Sequence, residues 1–222
     1  MELTPVLVLA IWASGLAMGA AVVAWWQIVG PGYLWTTGAL VAGVGVFVIA
    51  TGGGAAAWVG TAAAVIAIAM SRSPVPATVN LAFAAISFLL VAADRSPRFA
   101  ALSGAVLTGG VTSEMLLGHW FLVDPRLPRW ALKALTAGAG AGLVADAAMV
   151  AVRVLGDGNA AAPVLGWAYL ALAVMTGLLI AAVWFSLDEP RYTGVMAATG
   201  LSYLAVLTSF GVVVVGRMVA YG

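Results

Sequence analysis

Cysteine is absent from this 222-residue chain, and lysine and histidine occur once each, as Lys133 and His119. Without cysteine there is no disulfide, no Cys-ligated zinc, no iron–sulfur cluster and no thiol redox chemistry. A single histidine excludes HExxH and other multi-histidine metal sites, and leaves a bis-histidine haem without its second ligand. Charge of both signs is scarce: nine Lys/Arg and eight Asp/Glu make up 8% of the chain, for a formal net charge of +1. Soluble domains are about one quarter charged, so these side chains cannot coat a water-facing surface. No basic face exists for nucleic acid, and no polybasic cluster for anionic lipid. A Walker loop, a dinucleotide glycine fingerprint and Gly-x-Ser-x-Gly are all missing. No lysine lies deep in the last apolar segment, which excludes a retinal Schiff base there.

What is present is apolar. Hydrophobic residues make up 64% of the chain, and the mean hydropathy is +1.12. The strict alternation of an outer-membrane barrel strand is absent. Eight apolar runs emerge, bounded by Gly, Pro or charge: 5–29, 33–50, 55–70, 76–93, 99–123, 130–155, 163–185 and 192–219. At roughly 20 residues per crossing, they predict an all-α, polytopic integral membrane helix bundle of about eight spans. The number falls to six if the third and fourth runs, which are short, form a re-entrant pair. The whole chain, 1–222, reads as one transmembrane domain with no soluble domain. The first run has no basic residue before it, so it reads as a retained span rather than a signal peptide.

Ser73-Pro74 and Ser96-Pro97 place a capping hydroxyl ahead of a proline suited to a helix's first turn. Small residues mark close helix approach, because lipid is as apolar as leucine and cannot drive helices together. Gly15 and Gly19 in the first run, Gly138, Gly140 and Gly142 in the sixth, and the Ala-rich third run are the candidates. Trp25, Trp26, Trp35, Trp120, Trp130 and Trp184 fall near run ends, where aromatic belts sit. Trp12, Trp58 and Trp167 lie deeper and are expected between helices. Eight spans put Arg72, Arg126, Arg129, Lys133 and Arg191 on one side, and Arg95, Arg98, Arg153 and Arg217 on the other. Five against four is a weak bias. The dense loop 124–133 is expected on the cytoplasmic side of a bacterial inner membrane.

Sparse charge shortens the search for chemistry. Fifteen of the seventeen charges, Arg217 among them, fall in or near predicted loops and ends. Glu114 and Asp146 do not. A mid-bilayer carboxylate costs about 2.5–3.5 kcal/mol on insertion scales, so each is a functional candidate. Each lies nine residues, or about 13 Å, from an end of its run, and the two ends face opposite surfaces. The two carboxyls are therefore expected at similar depth on neighbouring helices, the layout of a proton relay. His119 lies five residues beyond Glu114. It reads as an interfacial residue beside Trp120, as proton entry to Glu114, or as a quinone or haem contact. His–Met ligation would be required for a single haem, and Met115 lies one helical turn back. No metal site is expected. Asp188-Glu189-Pro190 reads as an N-terminal cap for the last span.

Two functions follow as expectations. One is a non-catalytic membrane subunit of a respiratory or photosynthetic redox assembly, contributing a quinone or haem contact or a proton path. The other is a small proton-coupled secondary transporter, working as a homodimer. Catalysis by this chain alone is not expected. The partners implied are the lipid bilayer and either other membrane subunits or a second copy, with no nucleic acid.

Overall fold

The computed structural model describes residues 3–157 and 163–221. Met1 and Glu2, the residues ahead of the first predicted span, lie outside the described residues, as do 158–162 and Gly222. The described residues form eight helices and no strand: α1 (Pro5–Trp26), α2 (Pro31–Ala50), α3 (Gly54–Ala69), α4 (Pro74–Ala93), α5 (Arg98–Phe121), α6 (Arg129–Asp157), α7 (Pro163–Ser186) and α8 (Tyr192–Tyr221). Seven are long and apolar enough to cross a membrane. The exception is α3, whose 16 residues reach about 24 Å against a hydrocarbon core of about 30 Å. Its partner α4 has 20 residues and is long enough to cross. The chain is a polytopic helical bundle.

Proline sets several helix starts. Pro5, Pro31 and Pro74 stand in the first turns of α1, α2 and α4, where a missing N–H costs nothing. The serines do not cap as expected. Ser73 precedes α4 without a side-chain cap bond. Ser96 turns back to donate to the Ala92 carbonyl of α4, and Pro97 takes the cap position of α5. Gly52 and Gly54 adopt φ of 98° and 67° in the α2–α3 turn, a conformation that glycine takes without strain. Arg95 donates across to the Gly52 carbonyl at 2.8 Å, tying that turn to the α4–α5 connection.

Helices α1–α4 form one group and α5–α8 another. The main seam between the groups is α1 against α5, and glycine makes it possible. A Cβ on Gly15 would lie 2.8 Å from the Gly109 Cα, and one on Gly19 would overlap the Ser113 side chain. Helix α5 is also tight against α6, since a Cβ on Gly142 would lie 2.8 Å from the Leu107 Cα. Gly138 and Gly140 do not act as expected: a Cβ on Gly138 meets nothing within 4 Å, and one on Gly140 makes only ordinary contact with Ile180.

The aromatic residues divide differently from the sequence expectation. Trp12 does pack inside, edge-on to Phe210 at 5.1 Å, with its indole N–H directed at Thr112 Oγ1. Trp58 and Trp167 are 65% and 71% exposed, so they face outward rather than packing between helices. At the end of the bundle carrying Asp124, three edge or tilted pairs clasp different helices: Trp26–Trp130, Tyr33–Trp120 and Phe121–Tyr192.

Candidate functional site

Helix α5 is central because its small residues admit α1 on one side and α6 and α8 on others. Two buried polar centres lie along the α5–α6–α8 contact. The first is Glu114, only 2% exposed. Its Oε2 contacts the Ser202 hydroxyl of α8, and its Oε1 has no hydrogen-bond partner. Around it stand Val111, Thr136, Ile180, Val183 and Ala205, enclosing a cavity of about 10 Å³. That is about the lower limit for one water molecule. The Thr136 hydroxyl is directed to the Leu132 carbonyl at 2.9 Å, so it offers Glu114 no donor. Among the described residues no basic side chain pairs with Glu114.

The Ser202 hydroxyl also lies 2.9 Å from the Ala198 carbonyl. It therefore has one proton and two acceptor neighbours. Both contacts are hydrogen bonds only when the Glu114 carboxyl supplies a second proton. The pair is thus a donor–acceptor unit whose bonding changes with a single proton.

The second centre is Asp146, fully buried on α6. Its Oδ1 accepts from Arg217 Nη1 at 2.6 Å and from Ser103 Oγ at 2.9 Å. Arg217 Nη2 donates to the Ala100 carbonyl. Tyr169 of α7 lies beside this pair, and a Cβ on Gly216 would touch both its ring and Asp146 Oδ2. Arg217 overturns the sorting of charges into fifteen at loops and ends and two inside. It is 1% exposed and neutralises Asp146, so three charges are interior among the described residues. Its signal in the sequence is faint: Ser202, Ser209 and Gly216 recur every seven residues, a stripe along one face of α8 that ends beside Arg217.

The two carboxyls are not neighbours. Asp146 bonds Ser103, which lies eleven residues before Glu114 on α5, a separation of about 16 Å along the helix. The expected similar depth came from measuring each acid to the end of its apolar run. The antiparallel register of α5 and α6, which sets Gly142 against Leu107 and Asp146 against Ser103, places them toward opposite ends instead.

His119 does not join Glu114. It is exposed near the end of α5, while Met115 is half-buried and Trp120 packs edge-on to Tyr33. His119 and Met115 stand four apart on one helix, so they lie on the same side of it. Axial haem ligands approach from opposite faces of the macrocycle, and this pair does not fit that role. No group of three His, Asp or Glu able to hold a metal exists among the described residues.

At the Asp124 end, charged side chains tie loops together. Arg129 donates to the carbonyls of Leu187, Glu189, Pro190 and Arg191. Lys133 pairs with Asp188 and lies 4.9 Å from the centre of the Trp184 ring. Glu189 accepts from both the Arg191 side chain and the Arg191 backbone N–H just before α8, so the acids of this loop answer basic side chains while standing at the start of the last span. Asp124-Pro125-Arg126 repeats the acid–Pro–Arg arrangement with a 3.0 Å pair. Hydrogen bonds from Arg126 hold the Asp124 carboxyl below its ordinary range.

Fold and site together define a polytopic helical membrane protein with, among the described residues, one paired and one unpaired buried carboxyl. No protein-family model, no curated protein and no solved structure matches the chain.

Proposed function

We propose that this protein is a non-catalytic membrane subunit that handles protons for a redox assembly, with Glu114 as its exchanging group. The observation that carries the reading is the contact of Glu114 with Ser202: a buried carboxyl, without a cation, against a hydroxyl already facing a carbonyl. A group of that kind gains or loses one proton by rearranging one hydrogen bond. Intramembrane acids of this type line proton routes. Glu114 lies seven residues from the Phe121 end of α5, about 10 Å, so the Asp124 face is its nearer surface.

The carrier alternative is less well supported. A coupled carrier binds its substrate beside the coupling acid, and about 10 Å³ surrounds Glu114. A quinone or haem contact through His119, Met115 and Trp120 is less well supported, because the Trp120 ring is packed against Tyr33 and His119 and Met115 share one side of α5.

Infrared difference spectroscopy on the reconstituted protein tests the proton reading. A carboxyl band that responds to bulk pH and disappears in Glu114→Gln is expected. A Glu114 band indifferent to bulk pH over hours overturns it. Purification from native membranes tests the assembly: co-isolation of redox subunits is expected, and isolation only as a lone monomer or dimer overturns that part.

A further inference from the structure

The polar side chains that line the cavity beside Glu114 are oxygen acceptors whose own protons are directed elsewhere. Thr136 of α6 points its hydroxyl at the Leu132 carbonyl, 2.9 Å away. Ser202 of α8 has one proton, and the Ala198 carbonyl lies 2.9 Å from its oxygen. Glu114 Oε1 is buried and has no hydrogen-bond partner. All three residues line the same space of about 10 Å³, and its other lining residues are apolar. When Ser202 donates to Ala198, an ionised Glu114, Ser202 and Thr136 have only lone pairs to offer that space.

An ionised Glu114 carries a charge that no side chain around it offsets. None of the other residues lining the cavity, from α5, α6, α7 and α8, is titratable. Lys133, one helical turn from Thr136, is paired with Asp188. A water molecule would match the volume but leave the charge in place, which is costly in surroundings of low polarity. A proton or a small cation removes it. Divalent ions do not suit the site: calcium takes about six to eight oxygens, magnesium keeps several waters, and a single carboxyl balances a single charge. A bare potassium ion is about as large as a water molecule and meets the limit of the space. A bare sodium ion is smaller and lies within it.

We infer that Glu114, Ser202 and Thr136 form a sodium site in which one sodium ion and one proton exclude each other. Its ligands are the Glu114 carboxylate, Ser202 Oγ and Thr136 Oγ1, and intramembrane carboxyls of this kind mark ion sites. With sodium bound, Ser202 donates to Ala198 and turns its lone pairs to the ion. With a proton bound, the carboxyl donates to Ser202, which still donates to Ala198. One sodium ion enters as one proton leaves, so the site stays neutral throughout. This inference rests on the reading of Glu114 as the exchanging group and adds the ion that competes there.

The test uses the full chain, purified and reconstituted, in sodium, potassium or choline chloride at equal ionic strength and fixed pH. Sodium is expected to raise the thermal midpoint by about 2–4 °C or more once it exceeds its dissociation constant several-fold. It should also shrink the infrared band of protonated Glu114, while potassium and choline do little. Glu114→Gln should abolish both responses. Thr136→Val, which keeps the shape and loses the oxygen, should weaken sodium about tenfold or more while the Glu114 band still follows pH. Equal responses to the three salts overturn the site, and so does a sodium response that survives in Glu114→Gln. Unchanged sodium affinity in Thr136→Val overturns it as well. If Glu114→Gln does not fold, Thr136→Val and the salt series on wild type decide. A band that follows pH and ignores sodium overturns the sodium site alone. The proton reading fails separately, where the band ignores bulk pH in every salt.

Discussion

Asp146 and Arg217 are 71 residues apart in the chain and 2.6 Å apart in the fold, and neither side chain reaches the surface. Removing one partner leaves a buried charge with no counterpart, at a cost of about 3–5 kcal/mol. Asp146→Ala and Arg217→Ala should each lower the thermal midpoint sharply in detergent. Asp146→Leu/Arg217→Met, which removes both charges and keeps bulk, should recover most of the loss. Singles within about 1 kcal/mol of wild type would show that the charges have another source of compensation.

The glycine seam makes a sharper contrast. Gly109 meets the Gly15 backbone directly, whereas Gly138 has nothing within 4 Å of the position a Cβ would take. Gly109→Ala has to push α1 from α5, and overpacking of that kind costs about 1–3 kcal/mol. Gly138→Ala should leave stability at or slightly above wild type, since alanine restricts the unfolded chain. Equal effects from both substitutions, measured by thermal unfolding, would contradict the α1–α5 register.

How much of this could be read from the chain depends on what hydropathy reports. Helix number and most boundaries were legible, because apolar length is a requirement of the bilayer itself. Glu114 and Asp146 stood out for the same reason, as charges inside apolar runs. Arg217 did not. It lies close to the end of the last run, where basic residues ordinarily mark the interface, and its partner is reached only through the packing of α6 on α8. The outward faces of Trp58 and Trp167 were illegible for a different reason. A helix apolar all round carries no amphipathic signal, since lipid and protein interior accept the same side chains.

Those two tryptophans give a direct check on the outward faces. Single-tryptophan variants retaining Trp58 or Trp167 should be quenched strongly by lipids brominated along their acyl chains. A variant retaining Trp12, which packs on Phe210 inside the bundle, should be quenched much less. Similar quenching of all three would mean that α3 and α7 present other faces to lipid.

Arg129 supports a prediction about loop order. It reaches four consecutive or near-consecutive carbonyls from 187 to 191, a fan that a planar guanidinium can serve and an ammonium cannot. Hydrogen bonds from a charged donor contribute about 1.5–3 kcal/mol each when buried, and less here because the group is partly exposed. Arg129→Lys should therefore speed hydrogen exchange at residues 187–191 nearly as much as Arg129→Ala, while the exchange of α5 stays unchanged. A lysine variant with wild-type exchange would show that charge alone, without the fan of donors, holds the loop.

The absence of cysteine makes the topology testable without a background. Arg126 and Arg191 lie in the α5–α6 and α7–α8 connections, and Asp94 in the α4–α5 connection, all at exposed positions. With alternating helices, the first two share a face and the third lies opposite. A membrane-impermeant maleimide should label Arg126→Cys and Arg191→Cys to the same extent in vesicles of one orientation. Asp94→Cys should react only after the membrane is opened, or the reverse in inverted vesicles. The comparison also bears on α3, the 16-residue helix. Two crossings separate position 126 from position 191, and only one separates 94 from 126. Adding Thr51→Cys in the α2–α3 connection, at an exposed position, completes the test. With α4 crossing, labelling with Asp94→Cys means that α3 crosses despite its length, and labelling with the Arg126 group means that it turns back within the bilayer.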